Sequence, residues 1–125
     1  MPGWELIGKE EQKEINDIFH DSNGVLFAHG FNERRKNIFR VRNFEAEINK
    51  YFKVQHSLAT TSGTMAQYIA MKAMGIGDGD EVITQSFTFV ATIETIISLG
   101  ATPIITDIDE TFNMDPIDLE NKISN

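Results

Sequence analysis

The chain is expected to be an α/β protein whose helices cover a mostly parallel sheet. Three observations predict this. From about residue 56 onward, short apolar β-like runs alternate with helical stretches in the order β-α-β-α-β-α. The helical stretches end on glycine, at Gly75 and Gly77 and again at Gly100. Turn and cap signals fall between the runs, at Asp78-Gly79-Asp80 and at Asp115-Pro116.

The first half reads differently. Residues 9–20 suit a surface helix, with Ile15, Ile18 and Phe19 as a narrow apolar stripe among charged positions. Asp21 to Gly24 reads as a stop and turn. Residues 25–31 are short, apolar and glycine-ended, which suits a loop or short strand packed on a neighbour. A second helix is expected over residues 43–52, with Asn43 as its N-cap and Phe44, Ile48 and Phe52 on one face.

The period then changes. Leu58–Thr61 is expected as a short strand, and residues 64–74 as a helix with Met65, Ile69 and Ala73 on one face. Ala66 and Ala70 beside them favour close packing on a sheet. Glu81–Thr84 predicts the next strand and Val90–Leu99 the next helix. Pro103 opens a third strand, Ile104–Ile108, where a missing N–H costs little. Asp115 caps a last helix that starts with Pro116. No repeat, low-complexity stretch or linker interrupts the chain.

Composition narrows the function. An apolar share of 41% allows a globular core. Eleven basic against nineteen acidic residues give a net charge of −8. That balance argues against nucleic acid or an anionic membrane as partner. The basic cluster Arg34, Arg35, Lys36, Arg40 and Arg42 reads as a solvated face, or as a set of contacts to an anionic group of a substrate. Cysteine is absent, so neither a disulfide framework nor a thiolate metal site is expected. His20, His29 and His56 lack ligand or triad spacing, and the acidic residues Asp107, Asp109, Glu110 and Asp115 read as a solvated turn with Asp115 as a cap. No metal site is expected. No signal-peptide pattern or membrane-length apolar run is present, and a cytoplasmic location follows as the default expectation.

Residues 60–64, Thr-Thr-Ser-Gly-Thr, carry the chemistry. A strand that turns straight into a helix through Ser-Gly-Thr makes a phosphate cradle. Glycine lets backbone approach an anion, and the helix start offers unpaired N–H groups and a positive dipole end. Ser and Thr also cap helices for structural reasons alone, so the residues by themselves leave both roles open.

Three blocks extend this reading: Ser62-Gly63-Thr64, GDGDEVITQSFTFVAT at 77–92 and GATPIITDID at 100–109. In order and spacing they resemble the pyridoxal-phosphate-dependent sugar aminotransferases of the DegT/DnrJ/EryC1/StrS family. GWELIGKEE at 3–11 and GVLFAHGF at 24–31 also resemble the leading segment of these enzymes. The resemblance implies the N-terminal part of the large domain of a fold-type-I transferase, a three-layer α/β/α arrangement with a mostly parallel sheet. Residues 1–125 would then be a partial cofactor-binding domain, with a helical leading segment over about 1–55 and a βαβαβα portion over about 56–125.

The resemblance implies pyridoxal 5′-phosphate as cofactor, with Gly63, Thr64 and the N–H of Met65 on its phosphate and Phe89 stacked on its ring. From the residues alone, Phe87 and Phe89 both read as core; the resemblance moves only Phe89. It further implies amino transfer from an amino acid, glutamate by expectation, to a keto-sugar that is commonly nucleotide-linked. The setting would be cell-surface polysaccharide or amino-sugar biosynthesis, and the assembly a homodimer.

Members of the family are several-fold longer than this chain. Their Schiff-base lysine is expected downstream of residue 125, and none of the lysines present sits in its context. No catalytic residue is therefore assigned here, and the chain alone is not expected to catalyse transamination. The alternative from another class is a truncated, non-catalytic module that binds a phosphorylated ligand or a protein partner. A further alternative is an unrelated doubly wound nucleotide-binding domain, in which Phe89 would not matter for ligand affinity.

Overall fold

A computed structural model describes residues 3–22, 24–26 and 33–123. The chain divides into two compact units, residues 1–58 and 59–125.

The first unit holds a short 3₁₀ turn, Trp4–Leu6, and two helices, α1 (Lys9–Ser22) and α2 (Arg40–Phe52). Glu11 reaches back so that its carboxylate accepts the Gly8 N–H at 2.7 Å, which fixes the start of α1. Glu10 and Glu11 also lie in the first turn, where the helix dipole favours acidic groups. Lys13 and Asp17 pair along the exposed face at 2.6 Å. Arg40 ties the helices together, with its Nε 3.2 Å from a Glu14 oxygen and its Nη2 4.0 Å from Asp21.

The α2 helix begins three residues before the expected Asn43 cap. Phe39 is its N-cap residue, without a side-chain cap, and the Asn43 N–H already bonds the Phe39 carbonyl. Arg40, Val41 and Arg42 can all propagate a helix, so nothing in the sequence delays its start to Asn43. The stripe residues Ile15 and Phe19 on α1, and Phe44 and Phe52 on α2, are exposed. Residues 27–31 of the expected loop or strand, with His29 among them, lie outside the described residues.

The second unit is an α/β arrangement: α3 (Gly63–Ala73), β1 (Glu81–Gln85), α4 (Val90–Ser98), β2 (Thr102–Thr106) and α5 (Pro116–Lys122). The strands pair in parallel, with Glu81 opposite Thr102 and Gln85 opposite Thr106. Helix α4 is the crossover and packs on both strands; α3 packs against α4, and α5 against β2. The buried residues gather under α4: Ala91, Thr95, Ile96, Leu99 and Ala101, with Thr84 and Thr106 from the strands. Thr95 and Thr106 satisfy their hydroxyls on the carbonyls of Ala91 and Thr84.

The turn between α3 and β1 follows the sequence closely. Gly75 and Gly79 take φ of 86° and 90°, a region glycine enters without strain. The Asp80 carboxylate accepts the Gly77 N–H at 2.8 Å. Asp115 accepts the Ile117 N–H at 2.8 Å, with Pro116 at the head of α5 as expected.

Three further expectations are corrected. Leu58–Thr61 is not a strand: among the described residues β1 and β2 form the one ladder, and a strand needs a neighbouring strand to pair with. The strand expected at Ile104–Ile108 is Thr102–Thr106, with Pro103 inside it. Thr102 donates to the Asp80 carbonyl and Thr106 accepts from the Ser86 N–H, so residues of this parity face β1. Pro103 has the opposite parity, and its missing N–H falls on the open edge. Finally, Phe87 is 62% exposed instead of being a core residue. It leaves the end of β1 to meet the ring of Phe112, with centroids 5.3 Å apart.

Candidate functional site

The start of α3 is built from residues 60–66. Ser62 is extended, at φ −164° and ψ 164°, and serves as the N-cap. Its Oγ accepts the Met65 N–H at 3.1 Å, and its carbonyl accepts the Ala66 N–H at 3.0 Å. The Thr60 hydroxyl also donates to the Ser62 carbonyl, at 2.9 Å. Four N–H groups at a helix start have no partner within the helix. The Ala66 N–H makes the first bond of the helix, and of the four the Met65 N–H is spent on the cap. Among the described residues, the N–H groups of Gly63 and Thr64 have no acceptor, and both residues are exposed.

The surroundings suit an anion. A Cβ built on Gly63 would meet no atom within 4 Å, so the approach to the backbone is open. From Ser57 to Met71 no side chain is acidic or basic. The first turn of α3 carries no acidic residue, unlike those of α1 and α5. The positive end of the helix dipole is thus not neutralised from within. The sequence reading named the Met65 N–H as a donor beside Gly63 and Thr64; in the structure that N–H bonds the Ser62 Oγ. The signal was the capping serine itself.

The side chains of Thr64 and Met65 enter a groove between α3 and α4. Tyr68, Glu94, Thr95 and Ser98 complete its lining, around a cavity of about 320 Å³. Phe89 is not among these residues. It is the N-cap residue of α4, with φ −70° and ψ 138°, and its carbonyl accepts the Thr92 N–H at 3.0 Å. Its ring is 76% exposed. It follows the C-terminal end of β1, the end of a parallel strand where open α/β sheets bind ligands. The structure thus joins Thr64 and Met65 in one groove and sets Phe89 at the far end of α4.

Beyond β2, Asp109 organises the turn that leads to α5. Its carboxylate accepts the Thr111 N–H at 2.8 Å, the Thr111 hydroxyl and the Asn113 N–H. These bonds, the Thr111 hydroxyl foremost, hold its pKa below the ordinary aspartate value. Asp109 thus acts as a turn group and Asp115 as a cap. Among the described residues no group of His, Asp and Glu could hold a metal, and no helix is long and apolar enough to cross a membrane.

The head of α3 fits a phosphate group. Two unspent N–H groups meet an open glycine face with no acidic residue in their own helix turn, Glu94 lies across the groove on α4, and Phe89 stands exposed after β1.

Comparison with known proteins agrees. The model of the DegT/DnrJ/EryC1/StrS aminotransferase family matches residues 28–125. The chain is 41% identical over 120 residues to the spore coat polysaccharide biosynthesis protein SpsC of Bacillus subtilis, covering 95% of this chain and 28% of that protein. It is 38% identical over 115 residues to a GDP-perosamine synthase of Vibrio cholerae, covering 91% and 29%. In structure it is similar to the aminotransferase from Psychrobacter cryohalolentis, with a TM-score of 0.78 and 31% identity, covering 98% of this chain and 28% of that one. Other similar solved structures hold the cofactor in its pyridoxal or pyridoxamine form, and the family depends on pyridoxal phosphate. The chain spans less than a third of the length of these relatives. A match over residues 28–125, reaching from before α2 to the end of the chain through both strands and the start of α3, settles the family: the chain belongs to the DegT/DnrJ/EryC1/StrS aminotransferases.

Proposed function

We propose that the chain supplies the phosphate-binding part of a pyridoxal-phosphate-dependent sugar aminotransferase. The acceptor would be a keto-sugar, commonly nucleotide-linked, and the amino donor an amino acid, glutamate by preference. The product would serve cell-surface polysaccharide or amino-sugar biosynthesis in the cytoplasm. The observation that carries this is the pair of unspent N–H groups on Gly63 and Thr64 at the head of an uncharged helix turn.

In this reading Gly63 and Thr64 hold the phosphate through backbone N–H groups, and the Thr64 hydroxyl adds a third donor. Met65 shapes the floor of the site, since its N–H belongs to Ser62. Phe89 offers a flat apolar face to the pyridine ring. The cofactor supplies the electron sink for amino transfer, while the protein supplies position and electrostatics.

The chain is further proposed to work as a homodimer. Among the described residues its sheet has two strands, both with an open edge, and Ile69, Val90, Ile97 and Ile105 are exposed. Open edges and apolar faces of this kind call for cover by further protein.

The test compares pyridoxamine 5′-phosphate with pyridoxamine, titrated into the chain and followed by cofactor fluorescence. The phosphorylated form is expected to bind and the other to fail. Equal binding of the two would remove the phosphate cradle from the proposal.

A further inference from the structure

The Ser62 carbonyl accepts two hydrogen bonds. The Ala66 N–H donates at 3.0 Å, which is the first bond of α3, and the Thr60 hydroxyl donates at 2.9 Å. A carbonyl oxygen has two lone pairs, so this acceptor is full. The Ser62 Oγ is occupied as well, by the Met65 N–H. Starting the helix requires only the Ala66 bond and the cap. The Thr60 bond comes from outside the helix and adds nothing to its ladder.

The same carbonyl belongs to the peptide unit that carries the Gly63 N–H. That unit is planar and trans, so its C=O and N–H point in opposite directions and turn together. Whatever holds the Ser62 oxygen therefore sets the direction of the Gly63 N–H. One bond, from Ala66, leaves the plane free to rock about the N–H···O line. A second donor on the same oxygen removes that freedom. The junction needs it, because the torsion next to this peptide is the φ of a glycine, which sterics restrict least. Thr64 needs no such aid. Its N–H belongs to the Gly63–Thr64 peptide unit, and both of those residues lie within α3.

We propose that Thr60 is a positioning residue for the phosphate: its hydroxyl fixes the Ser62–Gly63 peptide unit and so aims the Gly63 N–H at the bound oxygen. It acts through Ser62 and not on the phosphate itself. The proposal rests on the reading of the α3 head as the phosphate site of the cofactor. A donor already fixed in the free protein loses no freedom when the anion arrives, which raises affinity without a new contact.

The experiment compares the wild type with Thr60→Val, which keeps the branched shape without the hydroxyl, and with Thr60→Ser, which keeps the hydroxyl. Backbone amide relaxation by NMR reads the ligand-free chain, and fluorescence titration reads pyridoxamine 5′-phosphate affinity. In the wild type the Gly63 N–H is expected near the order parameter of rigid backbone, about 0.85, and in Thr60→Val it should fall towards about 0.6. Thr64, Met65 and Ala66 should change little. Affinity should fall by a factor of about 2 to 13 in Thr60→Val, the span equivalent to one net hydrogen bond. Thr60→Ser should restore both readings. The proposal falls if Thr60→Val leaves the Gly63 order parameter or the affinity unchanged, or if Thr60→Ser behaves as Thr60→Val does. It also falls if all four amides loosen together, which would make Thr60 a support of the helix and not of one donor. Should pyridoxamine 5′-phosphate fail to bind the wild type, the cofactor reading is lost. The hold of Thr60 on the Gly63 N–H then stands or falls on the order parameters, which need no ligand.

Discussion

The Oγ of Ser62 accepts the N–H of Met65 at 3.1 Å, closing the first turn of α3. This bond decides which donors remain for a ligand. A cap hydrogen bond of this kind contributes about 1 kcal/mol. Ser62→Ala is therefore expected to destabilise the second unit by roughly 0.5–2 kcal/mol, measured as a lower urea midpoint with an unchanged slope. An unchanged midpoint would mean the hydroxyl contributes nothing to the helix.

Gly63 separates a structural role from a binding role. It heads α3, has no positive φ and has open space where a Cβ would stand. Gly63→Ala should therefore leave the melting temperature unchanged or slightly raised. A methyl group there would still stand between the backbone and a bound phosphate. Pyridoxamine 5′-phosphate affinity is expected to fall at least about tenfold, the loss typical of a hydrogen bond to a charged group. If affinity and stability both hold, Gly63 is only the first residue of a helix.

Phe89 makes a similar contrast. Because its ring is 76% exposed, Phe89→Leu should change stability by no more than about 0.5 kcal/mol. If the ring stacks on the cofactor, the same change removes roughly 0.5–1.5 kcal/mol of binding, a factor of about 2 to 13 in dissociation constant. Fluorescence titration of pyridoxamine 5′-phosphate against both proteins measures it. Equal constants would return Phe89 to a purely structural role.

Local signals made most of the second unit legible. Ser62, Gly75, Asp80 and Asp115 each act within a few residues of their own position, and the structure uses all four where the sequence places them. What failed was non-local. Leu58–Thr61 has the composition of a strand, but a strand forms only where another strand pairs with it, and among the described residues β1 and β2 form the one ladder. Phe87 has the character of a core residue, yet burial depends on what lies opposite, and Phe112 meets it at the surface. The start of α2 at Arg40 was hidden because Phe39 provides no side-chain cap to announce it. In the candidate site, Gly63 and Thr64 could be read from the Ser-Gly-Thr turn. The spent N–H of Met65 required the geometry of the cap.

Asp109 makes part of this unit sensitive to acid. Bonds from the Thr111 hydroxyl, the Thr111 N–H and the Asn113 N–H hold its folded pKa below its unfolded value. The stabilisation is fully present above the unfolded pKa, about 3.9, and is lost as pH falls through the lower folded value. Loosening of the 109–113 turn is therefore expected only below about pH 4. The turn also sets Phe112, whose φ of 63° is an unfavourable conformation for a bulky residue. Its N–H bonds the Asp109 carbonyl, and its ring holds Phe87. Acid should then perturb the Phe87 and Phe112 ring signals in step with the Asp109 carboxyl titration by NMR. Thr111→Val removes the largest cause of the shift, so the Asp109 midpoint should rise towards the ordinary value and the ring signals should follow it upward. A midpoint unaltered by that substitution would show that the hydroxyl does not hold the carboxylate, and ring signals that ignore the titration would separate Phe112 from the Asp109 turn.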